Sequence, residues 1–201
     1  MHGEVLPGVH RIFDTFVNVY LVDRGDHLVA VDTGLETTCG KILDAVTKIG
    51  KPLTAIVLTH GHLDHTGSLK CLKGRTNALV AAHRDEVELI KEKTGLEPDV
   101  ELMGGDVFEG FRVLHKPGHT RGSICLLDEK SRSLFVGDLV IERGGKLEEV
   151  PHQYSLDPEM NRRRIRELLE VDFENLLPAH GEPLLGNGKE KLRELVERLG
   201  L

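Results

Sequence analysis

The chain has 201 residues, enough for one ordinary domain whose core needs neither disulfides nor a structural metal to form. Its formal charge of −7 argues against a broad nucleic-acid-binding face and leaves a small-molecule substrate as the expected partner. The start, MHGEVLPGVHRIF, has no basic segment followed by an apolar stretch, and no run approaches the roughly 20 apolar residues of a membrane span, so neither secretion nor a membrane is expected and the cytoplasm is the reading.

In chain order, VHRIFDTFVNVYLVDRGDHLVAVDTG reads as three short strands with polar turns at Asp14-Thr15 and Arg24-Gly25-Asp26. Ile42, Leu43, Val46 and Ile49 then recur at helical spacing, with Gly50 as cap and Pro52 just beyond. LTAIVLT is almost wholly apolar, the mark of a strand covered on both faces. The alternation continues with a helix near Ser68 to Lys73, a strand in NALVAAH and a helix near Arg84 to Lys93. Strands in FRVLH, SICLLD and SLFVG follow. Near the end, DPEMNRRRIRELLE predicts a helix with Asp157 as N-cap and Pro158 at the first helical position. FENLLPAH predicts a strand, and NGKEKLRELVERLG a helix with Leu192, Leu195, Val196 and Leu199 on one stripe and Gly200 past its end. The pattern is that of a layered α/β fold.

Cys39, Cys71 and Cys125 are odd in number and lack CxxC spacing, so neither a disulfide framework nor a thiolate zinc site is expected, and Cys125 reads as a small core residue. Abundant Glu, Lys and Arg beside a single glutamine, Gln153, is a composition found in thermophilic proteins.

The chemistry concentrates in LTHGHLDHTG at 58–67. His60, His62, Asp64 and His65 offer imidazole and carboxylate donors suited to zinc, iron or manganese, crowded enough to serve more than one ion from a loop leaving a strand. His119, Asp138 and His180 each follow an apolar strand. If those strands end at one edge of the sheets, the topology gathers distant donors where open α/β folds bind ligands.

HGHLDH at 60–65, GHT at 118–120, GD at 137–138 and HG at 180–181, with VDTG at 31–34, resemble the ordered signature of the metallo-β-lactamase-fold superfamily. The landmarks run from Asp32 to Gly181, most of the chain. The resemblance implies a four-layer αββα sandwich built as a single domain over 1–201. It implies a first metal on His60, His62 and His119, a second on Asp64, His65 and His180, and Asp138 bridging both. Zinc is the expected ion, iron and manganese the alternatives. Two ions about 3.5–4 Å apart would share a water, bring its pKa toward neutrality and polarise a carbonyl, so that a bridging hydroxide attacks. Asp64 is also the candidate catalytic residue, orienting the nucleophile or shuttling its proton.

Asp138 stands where one lactamase branch has cysteine, and the all-His/Asp set is similar to that of glyoxalase II-type thioesterases and lactonases. Departures from glyoxalase II are GDLVIERGGKLEE in place of a Gly-Cys-Gly-Arg-like stretch, a chain that stops at Leu201 without a helical glutathione-binding domain, and Arg121 in place of proline. The expected activity is hydrolysis of a small thioester, ester or lactone. A mononuclear-iron persulfide dioxygenase and a noncatalytic metal-dependent binding or sensing protein are the alternatives. The number of chains that assemble is not legible.

Other residues carry plainer readings. His2, His10, His27 and His115 read as surface or hydrogen-bonded histidines, and His83 as a helix cap or a cleft residue. His152 and Tyr154 read as a packed, noncatalytic loop or as the lining of a substrate pocket, and Arg162-Arg163-Arg164 as a solvated helix face with Glu159 and Arg163 paired at i,i+4. Asp32 reads either as a group fixing a ligand histidine or as a strand-end turn, and Thr59 and Thr120 either as ligand-orienting hydroxyls or as turn caps.

Overall fold

A computed structural model describes residues 2–201, and the chain divides into two compact units, one ending at Leu102 and the other covering Met103–Leu201. The first carries a seven-stranded sheet in chain order: β1 (His2–Leu6), β2 (Val9–Asp14), β3 (Val17–Asp23), β4 (Leu28–Val31), β5 (Leu53–Val57), β6 (Leu79–His83) and β7 (Val100–Leu102). β1 to β4 form an antiparallel meander with short turns. From β4 to β7 the strands run parallel, and each return needs a crossover. Helices α1 (Cys39–Ile49), α2 (Leu63–Thr66), α3 (Leu69–Thr76) and α4 (Val87–Thr94) lie on these returns. α1 turns Ile42 and Ala45 inward and stops at Gly50, left-handed at φ 78°, whose N–H bonds the Val46 carbonyl as the sequence predicts. Ile42, Leu69, Leu72 and Ile90 pack on Leu21, Ala30 and Ile56 to make this unit's core.

The expectation of no disulfide is corrected here: Cys39 and Cys71 are bonded, with Cα atoms 6.3 Å apart. Cys39 opens α1 and Cys71 lies in α3, two helices in mutual contact. A sequence separation of 32 carries no local spacing signal, so the pairing follows from tertiary packing alone. Strands β1 and β7 were not foreseen, and the side chain of His2 lies outside the described residues.

The second unit contains β8 (Val107–Phe108), β9 (Phe111–His115), β10 (Ile124–Asp128), β11 (Ser133–Gly137), β12 (Val140–Arg143), β13 (Lys146–Glu149) and β14 (Asn175–Pro178), with helices α5 (Pro158–Glu167) and α6 (Gly188–Leu199). Five strands form a sheet in the order β14-β11-β10-β9-β8, while β12 and β13 make a separate hairpin. β9 and β11 are both antiparallel to β10, and β14 is parallel to β11. The segments after β9, β11 and β14 therefore leave the sheet at the same end. Leu127, Leu134 and Val136 meet Ile165, Leu192, Leu195 and Val196 in a core, as the helical stripes predict. Asp157 caps α5 by accepting the Met160 N–H at 2.8 Å. The β12–β13 hairpin was not foreseen, although its Gly144-Gly145 loop, at φ 61° and 81°, has the two positive values that a two-residue type I′ turn requires.

The predicted Glu159–Arg163 pair is also corrected. Glu159 lies 3.3 Å from Arg162, and Arg162 is drawn off the solvated face by Glu149 at 2.7 Å. Glu149 is held below the usual carboxylate range, first by its hydrogen bond with Arg162. Among the described residues no helix is long and apolar enough to cross a membrane.

Candidate metal centre

In the first unit the parallel run β4, β5, β6 sends Asp32, His60 and His83 out at one end of the sheet. What was read as a loop after β5 contains a helix of four residues. His62 precedes it, and its carbonyl accepts the N–H groups of His65 and Thr66, both at 3.0 Å. Asp64 and His65 thus sit on a helical turn. The Thr33 N–H, at 2.7 Å from the His65 carbonyl, ties that turn back to the end of β4.

Asp32 organises the histidines. Its backbone is left-handed at φ 62°, a conformation that Asp tolerates better than most residues. Oδ1 accepts the Thr59 N–H at 2.7 Å, and Oδ2 accepts both the Thr59 hydroxyl at 2.8 Å and His65 Nδ1 at 2.8 Å. The Thr59 hydroxyl, having given its proton to Asp32, accepts from His60 Nδ1 at 3.1 Å. Both buried rings are thereby assigned Nδ1–H, which makes Nε2 the acceptor nitrogen of each. His60 Nε2 lies 3.1 Å from His62 Nδ1, and His65 Nε2 lies 3.7 Å from Asp64 Oδ2. His60 and His65 are buried, while His62 and Asp64 are half-buried and meet solvent. Asp32 and Thr59 thus fix the rings of His60 and His65 rather than only closing a strand-end turn.

Glu86, absent from the sequence reading, is buried and accepts the Gly61 N–H at 2.8 Å. A Cβ on Gly61 would come within 2.8 Å of Leu89 Cγ, so the turn between His60 and His62 is backed by the side chains of Leu89 and Glu86. No motif marks Glu86 in the sequence; its role exists only because α4 returns to the end of β5. His83 Nδ1 accepts the Asp85 N–H at 3.2 Å, the capping role foreseen for it.

In the second unit the GHT turn is clamped to the start of α5. The Asp157 N–H reaches the Gly118 carbonyl at 2.8 Å, and the Leu156 N–H reaches the His119 carbonyl at 3.0 Å. Gly118, at φ 145°, has its missing Cβ position 2.5 Å from Asn161 N, so no larger residue fits. Thr120 is a turn residue, its hydroxyl 2.6 Å from that of Ser123. Asp138, nearly buried, faces two rings: Oδ2 lies 3.4 Å from His119 Nε2 and Oδ1 lies 3.1 Å from His180 Nε2. The same-end exit of β9, β11 and β14 explains this meeting. The reading of His152 and Tyr154 as a packed loop is corrected: both are exposed on the segment before α5, and His152 lies 3.2 Å from Glu149.

All seven predicted ligands therefore fall into two clusters, His60, His62, Asp64 and His65 in one unit and His119, Asp138 and His180 in the other. Imidazole nitrogens held about one hydrogen-bond length apart, and a carboxylate turned to a different imidazole on each oxygen, form a donor set that fits divalent cations.

The profile of the metallo-beta-lactamase superfamily matches residues 12–180, and the chain belongs to that superfamily, whose fold implies divalent metal ions. YobT of Bacillus subtilis (strain 168) is 32% identical over 149 residues, 64% of each chain. An acyl-coenzyme A thioesterase, MBLAC2 of Homo sapiens, is 29% identical over 225 residues, 89% of this chain and 80% of its own. The solved structure of TTHA1623 in a di-iron-bound form superposes with a TM-score of 0.73 at 27% identity, over 90% of this chain and 98% of that one. The expected α/β fold of the superfamily is thus established. The chain spans 64% and 63% of the lengths of the first curated relatives it matches.

Proposed function

We propose that the protein is a dinuclear metal-dependent hydrolase of a small thioester, ester or lactone. In this reading, carried by the superfamily signature, His60, His62 and His119 would hold one ion, Asp64, His65 and His180 the other, and Asp138 would bridge both. The observation that carries it is Asp138, whose two oxygens address two different histidines at 3.4 and 3.1 Å, as a bridging carboxylate must and a single-ion ligand need not. Zinc is our first choice of ion, with iron or manganese as alternatives.

Bound ions of this kind acidify water and polarise a carbonyl. The protein supplies the order around them. Asp32 and Thr59 hold His60 and His65 in one tautomer, so no proton has to leave a ligand nitrogen before binding. Asp64, whose side chain is 27% exposed, would orient the nucleophile or take a proton from water and pass it to solvent. The thioester reading is supported by the resemblance to the MBLAC2 thioesterase and by an all-His/Asp donor set in place of a cysteine at 138. We expect no nucleic-acid or membrane partner. We also propose a cytoplasmic location, which the Cys39–Cys71 bond links to the thermophile-like composition, since intracellular disulfides are otherwise rare.

Metal analysis of natively purified protein, with turnover assays on acyl thioesters, aryl esters and lactones, tests the reading. Two ions per chain and hydrolysis of one class are expected. One iron with oxygen uptake on glutathione persulfide would replace it with the dioxygenase. Two ions with tight small-molecule binding and no turnover would replace it with a sensor.

A further inference from the structure

We propose that Glu142 is a positioning residue for His180, an inference that rests on the reading of His180 as a ligand to the second ion. Glu142 lies in β12 and is nearly buried. Its backbone N–H donates to the His180 carbonyl at 2.9 Å. One carboxylate oxygen, Oε2, accepts the Glu182 N–H at 2.5 Å, and the other, Oε1, accepts the Gly145 N–H of its own hairpin loop at 2.5 Å. Glu142 therefore grips the chain on both sides of Gly181, at the carbonyl before it and the N–H after it. Gly181, at φ 99°, has its missing Cβ position 2.2 Å from the Glu142 carbonyl oxygen and 2.6 Å from Oε2, so only glycine lets the hairpin press this closely.

His180 stands just past the end of β14, half-buried, where a turn could swing its ring away from Asp138. Two backbone N–H groups from different turns converge on one side chain, each on its own oxygen, which a carboxylate supplies and an amide does not. Glutamine would present one oxygen and one NH2, and the NH2 would meet a backbone donor head on. Aspartate would keep the charge but fall one methylene short of spanning both donors. The geometry thus ties the hairpin, which contributes no donor to the proposed metal set, to the placement of one of its histidines.

Glu142→Gln and Glu142→Asp test this beside the parent protein, with two readouts. In metal-free protein the ring signals of His180 in 1H–15N spectra should broaden or shift in both variants while those of His60 stay in place. On titration with zinc, uptake of the second ion should weaken about 10–100-fold, the first being unchanged. Unaltered His180 signals together with unaltered second-ion affinity would overturn the proposal, as would a Glu142→Asp variant that behaves as the parent, because charge alone would then suffice. Should Glu142→Gln not fold, Glu142→Asp and Gly181→Ala carry the same test. A parent that takes up fewer than two ions would refute the dinuclear reading, and the His180 signals of the metal-free protein would still decide the role of Glu142.

Discussion

Replacing Asp32 by asparagine should weaken metal binding more than it weakens the fold. Asparagine keeps the size, one carbonyl oxygen and the tolerance for the left-handed backbone at φ 62°. Its oxygen can still accept the Thr59 N–H now bound at 2.7 Å. The other position becomes an NH2 that points at the Thr59 hydroxyl and His65 Nδ1, both now donors at 2.8 Å. The local remedy is for His65 to carry its proton on Nε2 and accept at Nδ1. Thr59 can likewise rotate and donate to His60 Nδ1, moving that proton to Nε2 too. Each remedy places hydrogen on the nitrogen a metal requires.

Binding must then undo one buried hydrogen bond per ring, at about 1–3 kcal/mol each, or about 5–150-fold in affinity at ~1.4 kcal/mol per factor of ten. His65 is wholly buried, so its loss belongs at the upper end. The metal-free fold keeps its hydrogen bonds in rearranged form and should lose only about 1 kcal/mol. Competition with a chromophoric chelator reads the affinity, thermal unfolding of metal-free protein reads the stability, and two-bond 15N couplings read the tautomers. An Asp32→Asn protein that binds metal like the parent, with His65 still protonated at Nδ1, would refute this account of the carboxylate.

Asp138→Ala should lower both retention of the second ion and turnover by removing the bridging charge; unchanged stoichiometry and rate by metal analysis and initial-velocity assays would reject the bridge. The Cys39–Cys71 bond closes a loop with a separation of 32, so Cys71→Ser should cost up to about 3–4 kcal/mol in the chain-entropy account, read by denaturant unfolding. Burial pushes the Cys125 thiol up to about 12, so iodoacetamide at pH 8 should label no cysteine in the native protein, one after denaturation and three after denaturation with reductant. Asp14 is lowered to about 2, chiefly by its hydrogen bond with Lys41, which outweighs the opposing effect of burial. This depressed carboxyl stabilises the fold above its unfolded pKa and stops doing so as pH falls through the folded value. The deficit of Asp14→Asn relative to the parent, about 1–2 kcal/mol at pH 7, should therefore shrink between pH 4 and pH 2 in urea titrations.

The proposed ligand residues stand out in the sequence because divalent cations accept few donor types, and His and Asp clustered after apolar strands are rare without that purpose. Helices were legible for a similar reason: Gly50, Asp157, Pro158 and Gly200 are stop and start signals whose mechanism is local. The Cys39–Cys71 bond was not, since it depends on how α1 and α3 meet. Nor were β1, β7 and the β12–β13 hairpin, which are short and whose pairing is decided by neighbours. The pairing of Arg162 was misread because its stronger partner, Glu149, lies 13 positions back, beyond any helical spacing.

Asp32, Glu86 and Glu142 show where sequence reading reaches its limit at a site of this kind. Each accepts a backbone N–H of a turn it helps to fix: Thr59, Gly61 and Glu182 respectively. A metal ligand must be one of a few side chains at one place, whereas a carboxylate that pins a backbone N–H can arrive from any strand or helix that happens to pack there. Only Asp32 sits in a recognisable motif, because it leaves the strand beside the histidine turn. Glu86 arrives from the start of α4 and Glu142 from a hairpin. Their glycine partners carry the complementary constraint, for a Cβ on Gly61 would press on the Leu89 side chain and one on Gly181 would meet the Glu142 backbone. A glycine beside a histidine of the proposed site is therefore the trace that such a carboxylate leaves in the sequence, and the carboxylate itself becomes visible only once the fold is known.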